Sequence, residues 1–433
     1  MKSFHFLLVT MLLASACIGA FACDDDDDDN DINEAGDDDD TTDDDLDDDT
    51  IDDDAADDDL DDDTGDDDIL DDDTLDDDSS PDDDDLFPPE EQTPLYEKGM
   101  ILPPDALECY PVGGSPTYDC NHHGSTVAEL PDGAMAAVWY HGEYEKSPDS
   151  RLVWSTLALD ETEWTWPEVL FDDPERSEGN PALWIDENGR YYVFFASIYG
   201  DGWNQAKLRL ITSDDDGASW SSPVMLRNRY CWMPRHRPAR LPNGDLLLPL
   251  YNECLAYPVF MRSSDDFTTW SEESNLSLGF YLEHAGQIQP ALTVLDDGRV
   301  TAITRDGLPT NRVKRMVSED NGVTWTASRM TALPNSGTSV DQVTLRDGHV
   351  VVVYNDSPDE RFPLTVALSH DGGQTFVATK NIDDECASPP CSYAYPSIAQ
   401  NTHDGTIWVT YSHERDTIAY VHFNEAWILE DRE

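Results

Sequence analysis

The alternation of apolar and polar positions between Gly133 and Gly405 repeats one unit six times. An apolar run enters an Asp-Gly or Asn-Gly pair, and a second run rich in Val, Tyr, Phe or Trp leaves it. The glycines are Gly133, Gly189, Gly244, Gly298, Gly348 and Gly405, and their nearly even spacing is the mark of a repeat array. Such a pair between apolar runs predicts a β-hairpin, because Asp, Asn and Gly enter the positive-φ conformations of a tight turn cheaply. Hairpins at this period, with no helical stretch between them, predict four-stranded blades set in a ring. The expected fold is all-β: a six-bladed β-propeller over residues 94–433. A strand near Gly99–Pro103 is expected to complete the last blade, closing the ring and removing its free edge.

Later in the units comes a second mark. Ser213–Trp220 (SDDDGASW), Ser318–Trp325 (SEDNGVTW) and Ser369–Phe376 (SHDGGQTF) share the form S-x-D-x-G-x-[ST]-[WF]. Ser263–Trp270 lacks the glycine, and Ser155–Trp164 keeps a fainter trace. The form describes a turn in which Asp binds nearby backbone N–H groups, Gly takes positive φ and the aromatic packs between sheets. Its role is structural.

Composition divides the rest of the chain. Met1–Ala22 has Lys2, an apolar core from Phe6 to Leu13 and then small residues, the layout of a secretory leader too short to span a membrane permanently. Cys23, with Cys17 as the alternative, is the expected lipid-attachment site, anchoring the protein to a bacterial envelope. Residues 23–93 form an acidic linker in which positions 24–85 hold 39 Asp, one Glu and no Lys or Arg. That charge repels itself and leaves nothing apolar to bury, so an extended, disordered spacer is expected. It has no D-x-D-x-D-G loop closed by Glu, hence no expected ordered calcium site. Removing the spacer's −40 and Lys2 from the formal −68 leaves −29 on residues 86–433. An acidic domain repels phosphate, which argues against nucleic-acid partners.

If Cys17 leaves with the leader and Cys23 is acylated, six cysteines remain, an even set suited to an oxidising compartment. The adopted reading pairs neighbours: Cys109 with Cys120, Cys231 with Cys254, and Cys386 with Cys391; the spacing leaves other pairings open. No C-x-x-C occurs, and the scattered His and Asp lack ligand spacing, so neither metal nor other cofactor is expected.

In a propeller the innermost strand of each blade lines the channel, and the strand starts gather at one mouth. Counting back from each turn glycine to the start of its strand brings Asn121, His122 and His123 there from blade one and Asn180 from blade two. Blade three supplies Arg235, His236 and Arg237, and blade four Gln287 and Gln289. Blade five supplies Asn335 and Ser336, and blade six Tyr393 and Tyr395. So many polar groups around one axis cost desolvation energy unless something binds there, which makes the mouth the expected site.

These stretches carry a family resemblance. Residues 118–423 are similar to the BNR-repeat, six-bladed sialidase superfamily of glycoside hydrolases, in particular its bacterial sialidase-like branch, and the S-x-D-x-G form resembles its Asp-box. The likeness rests on Asn121–Leu130 (NHHGSTVAEL), Gly286–Arg305, Asn335–Asn355, Tyr395–Gln400 (YPSIAQ) and Tyr411–Arg415 (YSHER). Members of that superfamily hold a substrate carboxylate with three arginines. They use an Asp from a blade-one loop as acid/base, and attack with a Tyr activated by a Glu. By position, the resemblance implies Asp149 as acid/base, Arg305 and Arg361 as second and third arginines, and Tyr395 as nucleophile.

Two positions depart from the pattern. His122-His123 stands where the first arginine would be. Gln289, across the Gly298 turn from Arg305, stands where the Glu would be. Neutral Gln cannot take the proton of a phenol whose ordinary pKa is about 10. His123 could act as base or acid instead, and Arg235, Arg237 or Arg415 could replace the missing arginine. Glu253 and Glu145 are alternative carboxylates, and Tyr411 is a further candidate for touching the substrate.

The expectation is a secreted or surface-anchored, monomeric exo-glycosidase that hydrolyses a terminal acidic sugar, sialic acid or a relative, from a glycan. Two alternatives use the same parts. One is a lyase or hydrolase on uronate- or rhamnose-containing glycans; in a lyase, Arg would neutralise a carboxylate while His and Tyr move protons. The other is a non-catalytic glycan-binding propeller. All require Arg305, Arg361 and Tyr395 to converge within about 15 Å.

Overall fold

The computed structural model describes residues 92–102, 121–264, 269–272, 277–308, 310–387 and 389–430. The leader, the Asp-rich segment, Cys23 and the proposed Cys109–Cys120 pair lie outside the described residues, as does the centre of the glycine-less Ser263–Trp270 turn.

Six antiparallel sheets form the blades. From the axis outward, blade one runs Asn121–Glu129, Met135–Gly142, Arg151–Leu157 and Glu168–Phe171, and blade two Glu178–Ile185, Tyr191–Ile198, Ala206–Ser213 and Val224–Arg227. Blade three runs Trp232–Pro234 with Ala239–Arg240, then Leu246–Asn252, Tyr257–Ser263 and Ser271–Glu272. Blade four is Gln287–Val294, Val300–Asp306, Arg312–Ser318 and Arg329–Pro334. Blade five is Asp341–Thr344, Val350–Asn355, Leu364–Ser369 and Ala378–Asp383. Blade six takes Tyr393–Gln400, Ile407–His413 and Thr417–Phe423 from the chain's end and Tyr96–Met100 from before blade one. All six predicted turn glycines sit at hairpin tips with φ between 77° and 88°.

The closing strand is the one expected, set slightly earlier in the chain. Tyr96 pairs with Phe423 and Met100 with Ala419, and Tyr96 stacks on Trp427 at 4.6 Å. Ile101 N still donates to Ile418 O at 2.8 Å and Leu102 O accepts from Thr417 Oγ1 at 2.6 Å, while both side chains bury against Trp139 of blade one, and burying a residue of that size contributes about 1.5–3 kcal/mol.

The S-x-D-x-G turns lock as read. Asp215 accepts from Ser219 N and Ser213 Oγ at 2.8 Å each, while Gly217 N donates to Ser213 Oγ at 3.0 Å. Asp320 and Asp371 repeat the arrangement with Thr324 and Thr375. The closing aromatics bridge blades: Trp220 meets Trp154 edge-on, and Trp325 stacks on Phe260 at 4.8 Å. Gly217 is required twice over, by φ of 81° and because a Cβ there would lie 2.2 Å from Trp154. Disulfides join Cys231 to Cys254 and Cys386 to Cys391. No helix among the described residues is long and apolar enough to cross a membrane.

Candidate active site at the propeller mouth

Four inner strands break register at the same level: between His123 and Thr126, Gly179 and Ala182, Ile288 and Ala291, and Ala394 and Ser397. In three of them the displaced residue is a non-glycine with positive φ followed by proline: Asn180 at 48°, Gln289 at 53° and Tyr395 at 54°; in the first it is Gly124 at 67°. A bulge takes one residue out of the in–out alternation and re-aims its side chain. The proline has no N–H for the broken ladder to leave unpaired. Left-handed backbone at Gln or Tyr costs on the order of 1–2 kcal/mol each. The strained residues are the ones whose side chains meet at the axis.

Tyr395 is the centre of that meeting. Its Oη accepts from Arg305 Nη1 at 3.1 Å and from Gln289 Nε2 at 3.3 Å, and Arg305 Nη1 also donates to Gln289 Oε1 at 3.3 Å. The guanidinium carbons of Arg305 and Arg361 lie 5.9 and 6.0 Å from its ring centre. The convergence expected of Arg305, Arg361 and Tyr395 is therefore present, and it is tighter than the site required. Burial would raise the phenol's pKa, but the charge of Arg305, the Gln289 amide bond and the charge of Arg361 outweigh it, and the net shift is downward. Tyr395, Arg305 and Arg361 each keep part of their surface open.

The arginines divide into two kinds. Arg305 and Arg361 have no carboxylate partner among the described residues, and Arg305 Nε is buried without any hydrogen bond. Burial and the like charges of Arg305 and Arg415 pull the pKa of Arg361 down. Arg415 sits at the tip of a hairpin whose central residues, Glu414 and Arg415, have φ of 56° and 66°, and it ion-pairs with Glu145. Its carbonyl accepts from His122 N at 2.8 Å, so it stands beside the position where an arginine is missing.

Arg235 and Arg237, expected as substrate contacts, are engaged by protein groups. Arg235 is buried and donates to Ser125 O, Tyr395 O, Pro396 O and Ser339 Oγ, tying blades one, three and six to the approach of blade five. Arg237 donates to Ile398 O at 2.7 Å and Gln342 O at 3.2 Å and pairs with Asp341, which also faces His236. Arg235 satisfies carbonyls at the breaks of blades one and six, and Arg237 satisfies carbonyls on the inner strands of blades five and six. Tyr411 also stands away from the mouth: it is buried between blades five and six and donates to Asp383.

His123 packs against Tyr395 with ring centres 4.3 Å apart, and its Nδ1 shares a hydrogen bond with Ser412 Oγ at 2.8 Å. Burial first, then Arg415, Arg361, Arg235 and Arg305, press its pKa well below the ordinary value. It is a neutral imidazole with Nε2 buried and unpartnered, and does not replace an arginine's charge. His122 is neutral for the same leading reason and accepts from Trp139 Nε1 at 2.9 Å.

Of the carboxylates, Asp149 is turned into its own loop, where Oδ1 accepts from Ser147 Oγ and from Glu143 N. It lines a separate pocket of about 270 Å³ with Glu143, Arg151 and Asp172. Glu145, earlier in the same loop, is the residue that reaches the cluster, accepting from Trp203 Nε1 at 2.9 Å and from Arg415. Burial raises Glu145's pKa, but Arg415 and Trp203 more than reverse this, and it stays ionised. Glu253 is the opposite case: burial pushes its pKa up, Arg305 opposes and Glu145 adds to the rise.

Sequence reading missed Tyr251 and Trp203. Tyr251 OH accepts from Asn180 Nδ2 at 3.2 Å and lies 3.5 Å from Gln289 Nε2. The available signal was its place at the end of the second strand, directly before Asn252-Glu253. Trp203 lies in a Gly200–Gln205 insertion whose only mark is two glycines around Asp201. Gln287 and Tyr393, counted toward the mouth, face away from it. Gln287 accepts from Ser328 and Thr304, and Tyr393 packs on Tyr411 and His413.

A six-bladed propeller with arginines around a phenol at one mouth defines the class. The profile of the BNR repeat-like domain family matches residues 133–413, and the chain belongs to that family, within the sialidase-like superfamily. It is 24% identical over 230 residues to a sialidase of Bacteroides fragilis (strain YCH46), a match covering 48% of this chain and 41% of that protein. The matched segment thus spans less than half the length of that relative. Among solved structures it resembles a Hadza microbial sialidase, with TM-score 0.61, 17% identity, and 71% and 66% of the two chains covered. The intramolecular trans-sialidase from Ruminococcus gnavus, solved with oseltamivir carboxylate, gives TM-score 0.58 at 13% identity, covering 71% of this chain and 95% of that one.

Proposed function

We propose that the mouth is the active site of a glycoside hydrolase acting on a terminal sugar that bears a carboxylate. The observation that carries this is the pair Arg305 and Arg361, held beside the Tyr395 phenol without an anionic partner among the described residues. Half-buried unpaired cations are costly, and a carboxylate is the planar anion that guanidinium groups grip with paired hydrogen bonds. The sialidase relatives make a sialoside the first substrate to test.

In this reading Tyr395 attacks the anomeric carbon, acidified by Arg305 and Arg361 where the superfamily pattern places a Glu. The phenol proton passes to water at the open mouth, while His123, buried among arginines that disfavour its protonated form, packs against the ring and holds it in place. Glu253, whose raised pKa keeps it protonated longer, donates a proton to the leaving oxygen, the tuning that general acids need. Asp149 takes that role instead if its loop turns inward on binding. Water then cleaves the tyrosyl glycoside. A second reading, elimination from a uronate, is favoured by the unpartnered Nε2 of His123 and would produce new ultraviolet absorbance. We further propose that the leader and Cys23 anchor the propeller at the envelope, which acyl labelling lost in Cys23→Ser would support.

The test is a panel of fluorogenic sialosides and uronosides. Turnover should fall by about 10³-fold or more in Tyr395→Phe. A silent panel, or full activity in that variant, would remove the hydrolase reading.

A further inference from the structure

The face opposite the mouth carries a second cluster. Strand direction places there the Asp347–His349 hairpin tip, the Ser369–Phe376 turn and the start of the helix Glu425–Leu429, because inner and third strands run away from the mouth. His349 Nδ1 lies 2.8 Å from Glu425 Oε1 and 3.1 Å from Asp347 Oδ2, and His370 Nε2 lies 3.9 Å from the same Glu425 oxygen. The two imidazoles stack at 3.9 Å with planes 15° apart. One donor atom from each of His349, His370 and Glu425 falls within 4.8 Å of the others.

We propose that His349, His370 and Glu425, with Asp347 alongside, bind a zinc-type divalent cation. One imidazole nitrogen facing two carboxylates has a single proton to share between them, whereas a cation could bond the nitrogen and both anions. A tetrahedral site with bonds of about 2.0–2.1 Å separates its ligand atoms by about 3.4 Å, and 2.8, 3.1 and 3.9 Å straddle that value. His370 sits on an exposed turn and can rotate inward. Two imidazoles with one or two carboxylates suit zinc, cobalt or nickel and not magnesium or calcium, which prefer all-oxygen shells. No sequence spacing announces the site, because its ligands come from a hairpin tip, the next turn of the same blade and a helix after blade six.

The site would join that helix to blade five. Its cap, Asn424, accepts from Leu95 N at 3.0 Å just before the ring-closing strand, so binding should stabilise the ring's closure. The proposal is independent of the chemistry at the mouth.

The full chain is the test object, and because the Asp-rich segment also attracts cations, the readout must report imidazole. Cobalt(II) bound here should show the strong visible bands of tetrahedral coordination, which water and carboxylates alone do not give. Those bands should vanish in His349→Ala/His370→Ala, with zinc binding at this site weakened at least tenfold. Zinc should raise the melting temperature of wild type more than that of His370→Ala, which also carries the comparison if loss of His349 impairs folding. Identical cobalt spectra and zinc-induced shifts in wild type and variants, or no tetrahedral bands in wild type, would overturn the proposal.

Discussion

Replacing Arg361 by Met should make the protein more stable and less active at once. The guanidinium carbons of Arg305 and Arg361 lie 5.9 and 6.0 Å from one ring centre, so they are at most about 12 Å apart. At an effective dielectric near 20, two like charges at about 12 Å repel by about 1.4 kcal/mol. Arg235, 5.1 Å from the same ring, adds a similar repulsion. Methionine keeps the apolar stem and removes the charge. After screening by solvent, about 1–2 kcal/mol of added stability is expected, a rise of roughly 2–6 °C in melting temperature that shrinks in high salt. Losing a charged bond to a substrate carboxylate costs about 2–4 kcal/mol, so kcat/KM on an acidic glycoside should fall about 30-fold to 10³-fold. Differential scanning fluorimetry at two salt concentrations and steady-state kinetics give both numbers. A less stable variant, or unchanged kcat/KM, would refute the view that Arg361 is stored unpaired for a ligand.

Three more outcomes follow from buried acids. Glu178, fully buried and bonded to Ser197, has its pKa pushed up to about 8 by burial. The folded state then keeps a proton that the unfolded chain loses above about pH 4.5, so stability falls as pH rises from there to about 8. Glu178→Gln should recover about 3 kcal/mol at pH 7 and less than about 1 kcal/mol at pH 5 in denaturant titrations. Asp341 is held well below the usual carboxylate range, burial opposing and His236 and Arg237 prevailing. Its contribution is complete above the unfolded value near 3.9 and is lost as pH drops below that; Asp341→Asn should cost about 3–5 kcal/mol at pH 7, the gap closing in acid. Glu253→Gln should lower turnover by about 10²–10⁴-fold, with wild-type activity declining as pH rises through the raised pKa of Glu253. An unchanged rate in Glu253→Gln alongside a large loss in Asp149→Asn would transfer the proton-donor role to Asp149.

The fold was legible because its signals are local. An Asp-Gly turn and an S-x-D-x-G turn each fix their own backbone within a single short motif, and their even recurrence counts the blades. The mouth was legible only as far as strand position reaches. Tyr395 and Gln289 follow from their places at strand starts, Arg305 and Arg361 from the family resemblance, and the four are found together. Arg235 and Arg237 stand at equally good places, yet carbonyls on the inner strands of neighbouring blades bind them first, a demand arising from other blades. Asp149 and Glu145 share one loop, and the turn that decides which carboxylate faces inward is a hydrogen bond from Ser147 that spacing does not encode.

The seam in the last blade, where Tyr96–Met100 zips onto Thr417–Phe423, sets how the molecule comes apart. An open row of repeats can fray one unit at a time from either end. In a circle the first and last repeats hold each other, so no repeat is terminal. Loss of the seam would release both flanks of the mouth together, and with them the alignment of His123 from one flank and Tyr395 from the other. Native-state hydrogen exchange should accordingly show the amides of those two neighbouring blades opening as one unit.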